Sequence, residues 1–597
     1  MFTLGVNAAY HDPAACLVKD GEVIAAAEEE RFTHVKHGKR PVPFSTYLLP
    51  YHAIEYCLRE AGIRLADVNH VAYSYDPYLL LGEHKDDATL TLPMEPSAHP
   101  TPEEWENAWD PLFLSSIVNA PRQLADGAPF HIKARFQNVR VDGHYRYQWH
   151  FIPHHLAHAA SAFLPSPFKE SAVMTLDGRG EKATTAYFLG RDNSLQSLGQ
   201  VEMPNSLGIL YEKVTEYLGF LHSSDEYKVM ALASFGSDAY LDDFCEILQL
   251  GAEGQFTVQQ PLNLEERFGP ARQRGEPFEQ RHYDIAHSLQ SALEETTLLI
   301  ANWLYEASGS RNLCMAGGVA LNCVMNARLR DEGPFENIWV QPASGDAGTA
   351  LGAALWVDAQ QRGSDARSYR MDHAFLGPDY SEEEIEKFLR WSKLPYRRLE
   401  NLAETAADML AQDKVIGWFQ GRMEFGPRAL GARSILASPI HAEMQERLND
   451  IKDREDFRPV APVVLEEESG EWFDGASVSP FMLFVYDVKP EKAGLIPAVR
   501  HVDGTARIQT INREQNAAYY DLLKAFKERT GVPVLVNTSF NTRGEPIVAT
   551  PRDAVECFWT SPLDALFIGP FLLEKESQQE AGEVAAWEKQ PVRQERA

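Results

Sequence analysis

Two separated stretches of this chain run through the same succession of features, and a chain that repeats a unit in this way is driven towards two related halves. In the first, the strand-like Leu4-Gly5-Val6-Asn7 enters a polar loop with His11-Asp12, followed by Ala14 to Lys19, the turn Asp20-Gly21 and the run Glu22 to Ala27. In the second, Val173 to Leu176 enters Asp177-Gly178-Arg179-Gly180, followed by Ala183 to Leu189, the turn Gly190-Arg191-Asp192-Asn193 and the run Leu195 to Met203. Each reads as strand, polar loop, strand, tight turn, strand. Asp-Gly and Asp-Asn pairs between apolar runs favour hairpins.

Strand, phosphate-facing loop and strand, used twice, is the layout of actin-like ATPase folds, in which a nucleotide lies between two related halves. The 597 residues exceed what one core organises, so further domains are expected. Residues 75–150 are rich in Pro, Trp, Tyr and charge and read as an insertion suited to acceptor recognition. Residues 285–305 and 348–361 read as helices. Residues 361–405, around Gly377-Pro378, read as a linker, residues 406–575 as a second region of strands and helices, and residues 576–597 as a loosely held polar tail.

Composition narrows the setting. The chain is 44% hydrophobic and 24% charged, as in ordinary globular proteins. It has no apolar run of about 18 residues, so no membrane-spanning helix is expected. The N-terminus enters a strand pattern without the basic start and apolar stretch of a signal peptide. The six cysteines are scattered and form no CxxC pair, which suits reduced thiols in a cytoplasmic protein. A net charge of −30 argues against long nucleic-acid contacts while allowing a local basic pocket.

Five motifs carry chemistry. In Pro153-His154-His155-Leu156-Ala157-His158, the proline suits a helix start, and His154 and His158 would share a helical face able to grip one metal ion. A histidine helix bonded only to its neighbours is the alternative. Asp177 and the Asp346 of Gly345-Asp346-Ala347-Gly348 strengthen the metal reading, because two imidazoles with one or two carboxylates suit Fe(II), Mn(II) or Zn(II). No Glu separates His154 from His158, which argues against a metalloprotease. The paired glycines of Met315-Ala316-Gly317-Gly318-Val319-Ala320-Leu321-Asn322 would let an adenine or ribose approach the backbone. The loop Gly421 to Ser434 holds Arg422, Arg428 and Arg433 among three glycines, and guanidinium forks suit a phosphate or mixed anhydride. In Asn449 to Pro459, Lys452 and Arg454 alternate, so on a strand they would face one way. In Val536 to Pro546, a buried-looking strand empties into small polar groups, including Ser539 and Asn541.

Together these motifs resemble the O-carbamoyltransferase family that includes the nodulation protein NodU and the cephamycin and tobramycin carbamoyltransferases. HHLAHAASA, DGRGE, AGGVALN, GDAG, FGPRALGARS, KDRE with its following Arg458-Pro459, and NTSFNTRGEPIV occur in the family's order. The match covers about residues 1–360 and 406–575. It implies an α/β and α+β fold: a duplicated N-terminal domain with the actin-like ATPase fold of Kae1/TsaD proteins, followed by a YrdC-like α/β domain. It also implies a two-step reaction. Carbamoyl phosphate and ATP, with Mg, give carbamoyl adenylate and pyrophosphate in the C-terminal domain. The N-terminal domain then passes the carbamoyl group to an acceptor hydroxyl and releases AMP.

Carried over by motif, His154, His158, Asp177 and Asp346 would bind iron(II), with Mn or Zn as alternatives, while His155 would be structural. Asp177, Lys228, Gly317, Gly318 and Asn322 would line the carbamoyl-adenylate site, with His11 as the catalytic base. Arg428, Lys452, Arg454, Arg507, Ser539 and Asn541 would bind carbamoyl phosphate and ATP. The expected acceptor is a natural product or sugar-like polyol, with hydroxymethylated DNA bases or a tRNA threonylcarbamoyl-type reaction as alternatives. A hydrogenase-maturation protein of HypF type would carry paired CxxC modules, which are not found. A nucleotide-dependent switch without catalysis is a further rival. No membrane partner is expected, and a homodimer is compatible with all of this.

Overall fold

Two five-stranded sheets share one topology. The first contains β1 (Phe2–Asn7), β2 (Ala14–Lys19), β3 (Glu22–Glu28), β4 (His70–Tyr73) and β5 (Gln148–Phe151), in the order β3-β2-β1-β4-β5. The second contains β6 (Glu170–Leu176), β7 (Ala183–Arg191), β8 (Ser194–Glu202), β9 (Asn312–Ala316) and β10 (Asn337–Val340), in the order β10-β9-β6-β7-β8. In both, the first three strands are antiparallel and the last two join in parallel. This is the repeat expected from the sequence, in a mixed α/β fold. The computed structural model describes residues 1–38, 49–81, 110–126, 147–363, 367–542 and 544–575. Most of the expected insertion (residues 82–109 and 127–146) and the polar tail lie outside the described residues.

Helices fill the space around these sheets. α1 (Tyr51–Glu60) lies between β3 and β4 in the chain, and α2 (His154–Phe163) between β5 and β6. α3 (Gln280–Ser308) and α5 (Ala347–Arg362) extend the two helices expected from the sequence, and α4 (Cys323–Glu332) follows β9. The stretch Ala347-Gly348-Thr349-Ala350-Leu351-Gly352-Ala353-Ala354 lets α5 lie against both α2 and β1 with almost nothing between backbones. A Cβ on Gly352 would fall 1.9 Å from the Ala157 carbonyl oxygen, and one on Gly5 would fall 1.9 Å from that of Ala350. No side chain tolerates such distances, so glycine sets the spacing of these three elements.

The C-terminal region builds an eight-stranded sheet from β11 (Arg397–Arg398), β12 (Ile416–Phe419), β13 (Arg433–Ala437), β14 (Ala461–Leu465), β15 (Gln509–Ile511), β16 (Val534–Ser539), β17 (Ala565–Ile568) and β18 (Phe571–Glu574). Their order is β11-β18-β17-β12-β13-β16-β14-β15. Its core includes Trp418, Phe526, Phe540 and Phe567. The expected linker, residues 361–405, needs correction. Ser381 and Glu384 form a capping box that starts the helix Glu382–Ser392, whose Ile385 and Leu389 enter the C-terminal core, and Arg397–Arg398 pairs with β18. The apolar spacing within that charged helix is what makes it part of the domain. The N-terminal core in turn continues into Phe425, Leu430 and Phe481 of the C-terminal region, so the regions share a buried seam. All six cysteines are free thiols, and no helix among the described residues is long and apolar enough to cross a membrane.

The glycine contact at α5 gives a direct expectation. Gly352→Ala should lower unfolding stability by about 1–3 kcal/mol through overpacking, read as a lower urea midpoint. An unchanged midpoint would show that α2 and α5 can separate freely.

Candidate functional site

Helix α2 begins where its histidines are needed. Pro153 precedes the first turn, and the Glu181 carboxylate accepts the backbone N–H of His154 (2.9 Å) and that of Asp76 (2.7 Å). A carboxylate at a helix N-terminus satisfies a donor the helix cannot and favours its dipole. The four-residue spacing then brings the Nε2 atoms of His154 and His158 to 3.1 Å. Asp177, just beyond β6, places Oδ2 3.5 Å from His154 Nε2 and 4.0 Å from His158 Nε2. Asp346, just before α5, places Oδ1 3.6 Å from each. All four side chains are buried.

These residues fit a divalent ion. Ligands about 2.0–2.2 Å from one ion lie no more than about 4.4 Å apart, and every distance above falls inside that limit. His154 Nδ1 lies 3.3 Å from the Ser74 carbonyl, an acceptor, so in the neutral ring the proton would sit on Nδ1 and the Nε2 lone pair would face the cluster. Asp177 Oδ1 accepts the Gly318 N–H at 2.7 Å, which turns Oδ2 towards the histidines. Both oxygens of buried Asp346 accept no hydrogen bond from the described residues. A buried carboxylate in that condition is costly unless a cation accompanies it. His155, by contrast, meets Thr175 Oγ1 (2.8 Å) and the Ala183 carbonyl (3.0 Å). Burial and the two neighbouring imidazoles push it down to about 3, so it is neutral packing.

Burial lowers the His154 pKa, but the Asp346 and Asp177 carboxylates outweigh burial and carry it up to about 9. Burial raises Asp177, but the histidines hold it well below the usual carboxylate range. The metal-free cluster therefore favours a proton on His154, which a metal bound there would displace.

The loop after β1 reaches the same place. His11 Nδ1 lies 2.9 Å from Asp12 Oδ2 and 3.8 Å from Asp346 Oδ2. A carboxylate accepting from Nδ1 leaves Nε2 as the basic nitrogen. Tyr10 stacks on Phe113 of the helix Asp110–Val118 (4.9 Å between centroids), lies under the Arg179 guanidinium (4.7 Å) and meets the His154 ring edge-on (6.0 Å). The described part of the insertion thus packs beside the cluster.

The other expected residues of this cleft separate into two roles. Gly317, at φ +96°, turns against β6, where a Cβ would lie 2.1 Å from the Leu176 carbonyl oxygen. Gly318 holds Asp177. Asn322 instead caps α4, accepting from the Met325 N–H (3.0 Å) and donating to Gln290 of α3 (2.8 Å). Lys228 Nζ lies 3.1 Å from Asp225 and 2.9 Å from Glu455, so it bridges the two regions of the chain.

A second site gathers cations. Lys452 Nζ donates to Ser539 Oγ (3.2 Å), Asn541 Oδ1 (2.7 Å) and the Asn541 carbonyl (3.0 Å). Lys452 and Arg454 do not lie on a strand, the arrangement in which their alternation would make them face one way. Lys452 ends the helix Glu443–Ile451 and Asp453 turns at φ 45°, so a tight turn brings the two together. Arg454 Nε donates to Asn449 Oδ1 at 2.6 Å. Burial and then Arg507 push Arg428 down to about 9, burial and then Arg458 push Arg454 down to about 9, and burial and then Arg454 hold Lys452 well below its usual range. Among the described residues, Arg428 Nε, Arg454 Nη2 and Arg507 Nε are buried N–H groups without a hydrogen-bond acceptor. Neighbouring cations with unsatisfied donors form a receptor for a polyanion.

Two members carry no role in the sequence motifs. Glu181 closes the DGRGE motif but caps α2 from 27 residues away. Arg458 joins the cations, stacks 4.7 Å over Tyr227 and lies 3.6 Å from Glu455. Its presence just after Lys452 and Arg454 was the available signal.

Two measurements follow. Mn(II) titrated calorimetrically at pH 7, in buffers of different ionisation enthalpy, should release about one proton per ion, with affinity falling roughly tenfold per pH unit from about 9 towards 7. No proton release would contradict the protonated His154. Arg428→Met should weaken binding of inorganic pyrophosphate by about 10- to 100-fold while leaving the melting temperature of the free protein equal or higher, since a like-charge contact is relieved. A lower melting temperature with unchanged binding would count against the pocket.

Residues 3–355 match a family model described as carbamoyltransferase N-terminus, and residues 407–575 one described as carbamoyltransferase C-terminus. The chain is 40% identical to an uncharacterized protein of Synechocystis sp., over 98% of this chain and 99% of that protein. It is 39% identical to nodulation protein NolNO of Sinorhizobium fredii, over 95% of this chain and 80% of that protein. Among solved structures, HypF of T. kodakarensis is similar at 14% identity and a TM-score of 0.32, covering 62% of this chain and 49% of that one, too remote to bear weight.

Proposed function

The chain belongs to the carbamoyltransferase family, and we propose that it is an ATP-dependent O-carbamoyltransferase with two sites. In this reading, residues 1–360 are a Kae1-like transfer domain, and residues 406–575 are a YrdC-like domain that forms carbamoyl adenylate. The observation that carries it is the pairing of a buried two-histidine, two-aspartate cluster with a separate pocket of under-satisfied cations.

The C-terminal pocket would bind carbamoyl phosphate and ATP with Mg, its guanidinium and ammonium donors meeting phosphate oxygens. Balance requires water. Cleavage of carbamoyl phosphate frees carbamate and phosphate; a carbamate oxygen then attacks the α-phosphorus of ATP, and pyrophosphate leaves. At the N-terminal site the acceptor hydroxyl oxygen attacks the carbamoyl carbon. The carbon–oxygen bond to AMP breaks, and the hydroxyl proton passes to His11 Nε2, with Asp12 holding Nδ1. Gly317 and Gly318 form the turn that packs on β6 and holds Asp177, and the adenosine would lie against that turn.

Iron(II), or Mn(II) or Zn(II), would be held by His154, His158, Asp177 and Asp346 and would supply positive charge for phosphate or carbamoyl oxygens. A net charge of −30 disfavours nucleic acid as the acceptor and supports a small polyol or sugar-like compound.

The test separates the two steps. Carbamoyl phosphate with ATP should yield pyrophosphate and phosphate, and mass spectrometry over a panel of hydroxyl compounds, hydroxymethylated DNA included, should find the gain of one carbamoyl group on a small polyol. A gain only on DNA would overturn the acceptor. His154→Ala should retain pyrophosphate release and lower transfer by about 100-fold or more. Equal loss of both steps would sink the two-site reading.

A further inference from the structure

An unbroken run of contacts joins the loop that presents His11 to the loop that presents Arg428. Asp12 Oδ2 holds His11 Nδ1 (2.9 Å), and Asp12 Oδ1 holds His37 Nδ1 (2.8 Å). The Asp12 N–H also donates to the His37 carbonyl at 3.0 Å. The His37 backbone N–H donates to Glu30 Oε2 (2.7 Å), and Glu30 Oε1 pairs with Arg31 Nη1 (2.9 Å). Arg31 Nη2 then donates to Glu28 Oε1 (3.0 Å) and to the Gly426 carbonyl (2.9 Å), while the Gly426 N–H donates to the same Glu28 oxygen (2.8 Å). Gly426 lies two residues before Arg428. Glu28 and Arg31 are 4% and 3% exposed, so this joint is sealed from water.

Two features say that the run serves more than folding. Asp12 accepts from imidazoles on both sides. With His37 in place its carboxylate has one orientation, and that orientation fixes the His11 ring and its tautomer. Tyr10, Asp12, His34 and His37 also all lie in the left-handed backbone region, at φ 53°, 50°, 57° and 58°. Non-glycine residues are held there only where surrounding contacts over-determine them, and such strain gathers at functional sites. Asp12, Glu30 and His37 lie close enough together to suggest a cation. Both carboxylates are already filled by N–H donors, so a positioning relay fits them better.

We propose that His37 and Arg31 are positioning residues. His37 fixes the Asp12 carboxylate that orients His11, and Arg31, through Glu30 and Glu28, fastens that assembly to the Arg428 loop. Naming His11 as the base rests on the two-site reading above; the relay itself rests on the contacts. Its use is to keep the transfer-site base in register with the loop of the anion pocket.

The test compares His37→Gly, His37→Ala and His37→Asn in the full chain, with glycerol as a minimal polyol acceptor. Glycine and asparagine both tolerate the left-handed backbone, but only asparagine offers Asp12 a donor. Melting temperatures should therefore rank Gly and Asn above Ala. The kcat for transfer should instead fall about tenfold or more in both Gly and Ala, with glycerol KM and pyrophosphate release unchanged, and should be largely restored in Asn. Wild-type transfer in His37→Gly, or pyrophosphate release falling in step with transfer, would overturn the proposal. Arg31→Lys, which keeps the charge but loses the fork, should slow both steps. If the wild-type chain forms neither pyrophosphate nor carbamoylated product, the two-site reading fails, and the relay is judged by melting alone. The shifts of His37→Gly and Arg31→Lys should then be non-additive in the double variant, and simple additivity would overturn it.

Discussion

The close approach of α5 to α2 and β1 is the constraint on which the first site depends. Asp346 sits on the residue before α5, and His154 and His158 sit on α2. The distance between carboxylate and imidazoles is therefore the distance between two helix backbones, and glycine at position 352 sets it. A side chain there would push the ligand sets apart before it disturbed any ligand. The site's precision comes from apolar packing, and the polar groups inherit it.

The two sites solve opposite electrostatic problems. The first buries carboxylates and imidazoles that attract a cation. The second gathers guanidinium and ammonium groups that depress one another's proton affinity and attract an anion. Each arrangement costs stability when alone, because like charges or unsatisfied donors are held together. Each becomes favourable when its ligand arrives. An acidic protein in this way concentrates positive charge in its interior without a basic surface.

Much of this was legible in the sequence, for identifiable reasons. The duplicated sheets showed because strand pattern and turn residues act over short range, and helices near 285–305 and 348–361 showed because their apolar period is long. His154 and His158 were readable because four-residue spacing on a helix is nearly deterministic. How Lys452 and Arg454 come together was not legible, since it depends on a single left-handed residue, Asp453, and not on a strand. Asn322 is also a helix cap, a role that the nearby start of α4 could have suggested. The helix Glu382–Ser392 was hidden by its charge, and Glu181 by lying far in sequence from the helix it caps. What the sequence withheld was the set of partners brought together only by tertiary contact.

The spread of the metal cluster along the chain also sets an order in time. Its ligands run from His154 to Asp346, so neither repeated half contains the centre, and a ribosome must emit most of the duplicated fold before any ion can be captured. The cationic pocket waits longer still, for Ser539 and Asn541. During synthesis the chain thus completes the histidine–aspartate cluster first and the cluster of cations last, and the Arg31 joint to Gly426 closes only between those two moments.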